Sequence, residues 1–115
     1  MSLALFETYS ISDEDSKDVR LHPVYSKLSV PFLMEKIATR FALDGFSLIE
    51  RNEFYGEMLL SDGDYSLTFH FLNDEGPNLK IGISVYAPDK RGKTRKKLME
   101  SLALLKEIAE SKNAH

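Results

Sequence analysis

Apolar and polar residues alternate most clearly in two stretches of the second half of the chain. Tyr65, Leu67, Phe69 and Phe71 form one apolar series, and Leu79, Ile81, Ile83 and Val85 form the other. Successive side chains of a strand point to opposite faces of its sheet, so each stretch predicts a strand with one buried face. The residues between them then share a polar face: Ser66, Thr68, His70, Lys80, Gly82, Ser84 and Tyr86.

Turn residues divide this region into four predicted strands. Asp62-Gly63 lies between two apolar runs, and this pair favours a tight hairpin because glycine tolerates positive φ. We expect strands at about 46–51, 54–60, 65–72 and 79–86. Their connections are too short for a crossover, so neighbouring strands should be antiparallel and form a four-stranded meander.

Two helices are predicted on either side of these strands. The first, at about 31–43, has Ser29 as its N-cap and Asp44-Gly45 as its stop. Its apolar residues Met34, Ile37, Ala38 and Phe41 recur at the spacing of one helix face. The second helix, at about 93–111, has a leucine stripe. Both helices should cover the apolar face of the sheet, which gives an α+β fold.

The first 30 residues give a weaker pattern. The stretch from Leu3 to Tyr9 is compatible with an extra short strand or with a helical turn, and Ser10 to Lys27 is polar and acidic, as in a surface loop. We therefore expect an acidic lead-in segment at 1–30, either partly disordered or lying along the edge of the sheet, and one α+β domain at 31–115. A chain of 115 residues is of the usual size for a single domain.

Composition excludes several classes of protein. The chain has no cysteine, which rules out disulfides, thiolate catalysis and zinc–thiolate sites. Its apolar runs are too short for a membrane-spanning helix, and the first residues lack the cationic start of a secretory signal. We expect a cytoplasmic protein that does not act at a membrane.

The segment Ala87 to Thr94 fits a loose form of the phosphate-binding P-loop pattern. We reject a nucleotidase, because bulky residues replace the small ones of that loop and only one helix follows. The segment is nevertheless rich in cations: Lys90, Arg91, Lys93, Arg95, Lys96 and Lys97. These six residues are the candidate anion-binding set. They are equally compatible with a solvated loop, which the acidic lead-in would balance.

The polar face of the predicted sheet provides a second candidate surface. His70 and Tyr86 are expected to be close on adjacent strands, with Tyr55 or Glu57 beside them and Lys80 on the same face. Tyr55, His70, Lys80 and Tyr86 are the candidate binding residues. Exposed strands often carry tyrosine and threonine without any binding role, so this reading stays open.

Catalytic and metal-binding residues are not evident in the pattern. The three histidines, His22, His70 and His115, are not at helical ligand spacing, which argues against a metal site. No serine or threonine has the context of an activated nucleophile. We therefore expect no cofactor, and a non-enzyme is favoured over an enzyme.

The order of predicted elements from Phe32 to Ala87, a helix followed by strands, resembles the first half of bacterial type III secretion chaperones. These chaperones are small acidic dimers, so the resemblance implies protein binding and a homodimer. It covers about half of the chain and rests on the element pattern alone. The second half differs, because one helix follows the strands here where the chaperones continue with a helix, two strands and a last helix.

The function favoured by the sequence is that of a non-enzymatic protein-binding module, such as an adaptor, small chaperone, immunity protein or regulatory protein. Its docking surface would be the polar sheet face or an edge strand. The alternative is a nucleic-acid or phosphate-ligand binder that uses the basic segment 90–97. Another protein is the expected partner under the first hypothesis, and nucleic acid under the second.

Overall fold

The structure is a computed structural model that describes residues 8–73 and 78–110. It contains an antiparallel sheet of six strands with two helices packed on one of its faces. The elements follow in the order β1 (Tyr9–Ile11), a 3₁₀ helix (Val19–Leu21), β2 (Val24–Ser26), α1 (Val30–Ala42), β3 (Ser47–Asn52), β4 (Glu57–Ser61), β5 (Ser66–Leu72), β6 (Leu79–Tyr86) and α2 (Thr94–Glu110). The predicted α+β class is confirmed.

One hydrophobic core joins the helices to the sheet. The predicted apolar face of β5 and β6 is buried, with Leu67, Phe69 and Ile83 wholly inaccessible to solvent. Phe41 of α1 packs edge-on against Phe69 at 5.3 Å between ring centroids. The helix side of the core consists of Leu33, Met34, Ile37, Phe41, Leu98, Leu102, Leu105 and Ile108. The polar face is therefore the one that points away from the helices.

Local signals set the ends of α1 as the sequence predicts. The Ser29 side chain accepts a hydrogen bond from the Phe32 amide, which satisfies one of the unpaired donors of the first turn. α1 ends at Ala42, and the chain then passes through Gly45, where φ is +91°. Only glycine adopts this conformation without strain, so the chain turns here and enters β3.

The prediction of a four-stranded meander is confirmed in part, because the sheet contains two more strands than the meander. β3, β4, β5 and β6 do form the predicted meander, but β1 and β2 both pair with the outer edge of β6. Tyr9 pairs with Tyr86, and Ser26 pairs with Leu79, so the two short strands follow one another along β6. The stretch predicted as a surface loop, Ser10 to Lys27, thus contributes strand residues. The other candidate strand residues, Leu3 to Glu7, lie outside the described part of the chain.

Element boundaries agree with the prediction within one residue at most ends. β6 spans the predicted residues, whereas β4 begins at Glu57 rather than at Phe54. The reason is Gly56, whose φ of +67° places Phe54 and Tyr55 in a turn. Across residues 8–73 and 78–110 we find no helix with the length and hydrophobicity needed to cross a membrane.

Candidate functional site

The sheet face opposite the helices, called the open face below, is not covered by any element in the described ranges. The strand register sets the positions of its side chains. At one end of the face it aligns Tyr9, Tyr86 and Ser66, and at the other end it aligns Tyr25, Lys80 and Leu72. Five large apolar or aromatic side chains on this face are 47% to 52% exposed: Tyr9, Ile11, Tyr25, Leu72 and Tyr86. They form two groups, with a polar region between them.

The central polar region contains a cavity of about 390 Å³. Its floor is formed by His70, Gly82 and Lys80 of the sheet, and its wall by the edge loop, residues 12–23, which connects β1 to β2. Lys80 forms an ion pair with Glu14 of this wall. The structure therefore brings two of the predicted binding residues, His70 and Lys80, to one cavity.

Ser12 fixes the start of the edge loop against β6. Its amide donates to the Ile83 carbonyl at 2.9 Å, and its hydroxyl accepts from the Ile83 amide at 3.0 Å. A Cβ on Gly82 would lie 3.0 Å from the Ser12 hydroxyl oxygen, so glycine leaves room for this contact. The loop can therefore leave the sheet at this point and form the cavity wall.

His70 lies in a small polar cluster. Its Nε2 is 3.0 Å from the Ser84 hydroxyl, and its Nδ1 is 3.6 Å from a carboxylate oxygen of Glu57. This order of serine, histidine and acid is the one used in nucleophilic hydrolysis. The sequence offered Glu57 as one of two neighbours of His70, and this neighbour is observed. Sequence reasoning missed Ser84, because its contact with His70 depends on the register between β5 and β6.

Two features argue against hydrolysis at this cluster. Ser84 is only 5% exposed, and it lies in the middle of β6, which has strand partners on both sides. The backbone amides of a strand with partners on both sides already donate hydrogen bonds to the neighbouring strands, so they cannot stabilise an oxyanion. The geometry therefore does not provide an attacking group together with oxyanion donors, and the cluster is a polar part of the open face.

The described residues contain no group of three or more histidine, cysteine or acidic side chains suited to a metal ion.

The remaining predicted face residues lie apart from His70. His70 of β5 pairs with Gly82 of β6. Tyr86 of β6 pairs instead with Ser66, which is four positions away from His70 on β5. Tyr55 lies outside the strands, in the turn before β4, where it packs edge-on against Phe54 at 5.1 Å. The predicted proximity of His70 and Tyr86 is therefore not observed, and Glu57 is the residue that approaches the imidazole.

Two of the six cations of the basic segment contact neighbouring side chains of the same molecule. Lys97 lies 4.8 Å from the centre of the Tyr65 ring, and Lys90 is 3.8 Å from a carboxylate oxygen of Asp64. Thr94, at the P-loop position that would bind metal or phosphate, is fully buried and is hydrogen-bonded to Ser10 at 2.7 Å. Four members of the set are exposed: Arg91, Lys93, Arg95 and Lys96.

The conformation of the edge loop depends in part on Asp18. This residue caps the 3₁₀ helix and pairs with the Arg20 guanidinium at 2.7 Å. Hydrogen bonds from the Arg20 side chain, and then from its amide, lower the pKa of Asp18 from 3.8 to about 2. The capping interaction should be fully present above pH 4 and be lost as the pH falls towards 2, because a lowered pKa means that the folded state favours the carboxylate.

We expect an NMR titration of the Asp18 side-chain carboxyl carbon to give a midpoint at about pH 2 in the native protein. In the Arg20→Gln variant the guanidinium is absent, so the midpoint should move up towards the ordinary value of an aspartate. Equal midpoints for Asp18 in the two proteins would show that Arg20 does not set this pKa.

Comparison with known proteins does not assign the chain to a family. No model of a protein family matches it, and no significant match was found among curated proteins or among solved structures. The function is therefore argued from the site itself.

Proposed function

We propose that the protein is a non-enzymatic protein-binding module whose docking surface is the open face. The observation that carries this proposal is the group of five half-exposed apolar and aromatic side chains on a face without a covering element in the described ranges. Tyrosine, together with apolar anchors, is enriched at protein interfaces, where one part of the ring is buried and the hydroxyl stays hydrated.

The two edges of the sheet are less suited to docking than its face. β3 has a bulge between Leu48 and Glu50, and beside it Arg51 is held by carboxylates of Glu35 and Glu53, each at 2.8 Å. Bulges and charges are the usual means of preventing strand addition at an edge. At the opposite edge, β1 and β2 have only three residues each and are separated by the edge loop. Both features favour the face.

The test is affinity capture of the tagged full-length protein from its native lysate, with and without nuclease, read by mass spectrometry. We expect one protein to be retained in stoichiometric amount after nuclease treatment. Tyr86→Ser and Leu72→Ser should each reduce its retention by about tenfold, because central aromatic and apolar anchors supply most of the energy of an interface.

Leu43→Ser is the matched control for Leu72→Ser. Leu43 is 77% exposed, but it follows α1 in the helix layer, away from the open face. This variant should retain the partner as the native protein does. A partner that is lost with Leu43→Ser and kept with Leu72→Ser would contradict the proposal and would direct attention to the helix layer.

Nucleic-acid binding by the basic segment is the alternative, and it is supported by the exposure of Arg91, Lys93 and Lys96. Under this alternative the captured material should disappear with nuclease. Replacing these three residues by alanine should also weaken the salt dependence of binding. The negative slope of log affinity against log salt should decrease in magnitude by about 0.7 to 0.9 for each phosphate contact that is lost. Unchanged binding in this triple variant would exclude the alternative.

A further inference from the structure

The charge of the open face indicates the chemistry of its partner. Asp13 and Glu14 line the cavity wall, and Glu50 and Glu57 lie on the same face of β3 and β4. Lys80 is the one lysine or arginine on the described strands of this face, and it pairs with Glu14. These two charges offset one another, so Asp13, Glu50 and Glu57 give the face its excess of negative charge. The face is thus acidic between its apolar ends, although cations are abundant elsewhere in the chain. Complementary potentials across an interface favour a partner with cations at its centre.

The spacing of the two apolar groups sets the length of the partner. Tyr86 marks one end of the face and Lys80, with Tyr25 and Leu72 on either side, marks the other. Lys80 and Tyr86 are six positions apart on β6, which corresponds to about 20 Å. An α-helix covers this distance with about 13 residues, at a rise of about 1.5 Å per residue.

The backbone of the partner should be helical rather than extended. A sheet face presents side chains, and its own amides and carbonyls are already paired within the sheet. An extended peptide laid on this face would leave backbone groups without partners, whereas a helix satisfies them internally. The opposite face of the same sheet is covered by helices for the same reason.

From these observations we infer that the open face binds an amphipathic α-helix of another protein, about 14 residues or more in length. The helix carries apolar side chains that contact the two ends of the face, and lysine or arginine residues between them that face Glu50, Glu57 and the cavity wall. This inference rests on the proposed function, and it adds the conformation and charge of the partner.

The experiment is a display selection on the immobilised full-length protein, from a library of 18-residue peptides randomised at every position. The selected peptides are then synthesised and measured by fluorescence anisotropy and circular dichroism. We expect them to be cationic, to show apolar residues with helical periodicity and to become helical when bound. Glu50→Lys combined with Glu57→Lys should weaken their binding by about tenfold or more at low salt.

Two control variants separate the inference from the function on which it rests. Glu107→Lys adds the same kind of charge on the exposed surface of α2 and should leave binding unchanged. Peptides that lose binding with Tyr86→Ser but are acidic or extended would overturn the inference and leave the proposed function standing. If no selected peptide is sensitive to Tyr86→Ser or Leu72→Ser, both are wrong. Self-association of the chain that is abolished by the same two variants would also overturn the inference, because the occupant would be a second copy.

Discussion

Replacement of Gly56 by alanine is expected to lower the free energy of unfolding by about 3 kcal/mol or more. Gly56 has a φ of +67°, and a Cβ at this position would lie 2.5 Å from the carbonyl oxygen of Phe71. That oxygen belongs to the backbone of a central strand, so it cannot move without disturbing the ladder. The loss therefore combines the strain of a left-handed alanine with a displacement of β5 against β4.

Gly63 provides the matched control for this variant. It has a φ of +99°, but a Cβ there would meet no atom within 4 Å. Gly63→Ala should therefore cost only the conformational strain, about 1–2 kcal/mol. Urea unfolding followed by far-UV circular dichroism measures both variants. Equal losses would show that the contact with Phe71 contributes nothing.

The second large effect is expected at the buried hydroxyl pair between Ser10 and Thr94. These side chains join β1 to the start of α2 through a hydrogen bond of 2.7 Å, and both residues are buried. Thr94→Val keeps the shape of the side chain but leaves the Ser10 hydroxyl without its partner. We expect a loss of about 1–3 kcal/mol in the free energy of unfolding, the cost of an unsatisfied buried polar group.

A double-mutant cycle tests this interpretation. When Ser10→Ala accompanies Thr94→Val, no hydroxyl is left unsatisfied, so the double variant should be more stable than Thr94→Val alone. Chemical denaturation curves of the four proteins give the coupling energy. Strictly additive losses would mean that the two hydroxyls act independently.

Much of the sheet could be predicted because its strands are long and half-buried. The alternation from Leu79 to Tyr86 gave both ends of β6, since burial of one face leaves a period of two in the sequence. Ser29 and Gly45 likewise marked the limits of α1, because each performs a local backbone role. The ends of β6 and α1 are thus set by residues that are close together in the sequence.

β1 and β2 could not be predicted for the opposite reason. Val24, Tyr25 and Ser26 show one cycle of alternation, too little to distinguish a strand from a loop. Their extended conformation is set by pairing with β6, which is distant in sequence. At β4, Phe54 and Tyr55 have strand propensity, but the positive φ of Gly56 overrides it.

The sequence predicted which face of the sheet the candidate residues share, but it did not predict which of them are in contact. The parity of His70, Lys80 and Tyr86 places them on the same side of the sheet, and the structure agrees. Which of them meet depends on the register between β5 and β6, which the sequence does not specify. The contact of His70 with Ser84 follows from that register. The cavity wall depends instead on the pairing of β1 and β2 with β6, which is distant in sequence.

The position of β6 at the end of the meander also has a consequence for synthesis of the chain on the ribosome. Ile83 hydrogen-bonds to Ser12, which is made 71 residues earlier. At about 5–20 residues per second, the segments that become β1 and β2 wait roughly 4–14 s for the strand that orders them. During that interval Tyr9, Ile11 and Val24 have no sheet to join. Completion of the sheet therefore depends on the slow pairing of β6 with β1 and β2, which are distant in sequence. A chaperone that binds β1 and β2 as they are made would act before any strand of the sheet has formed.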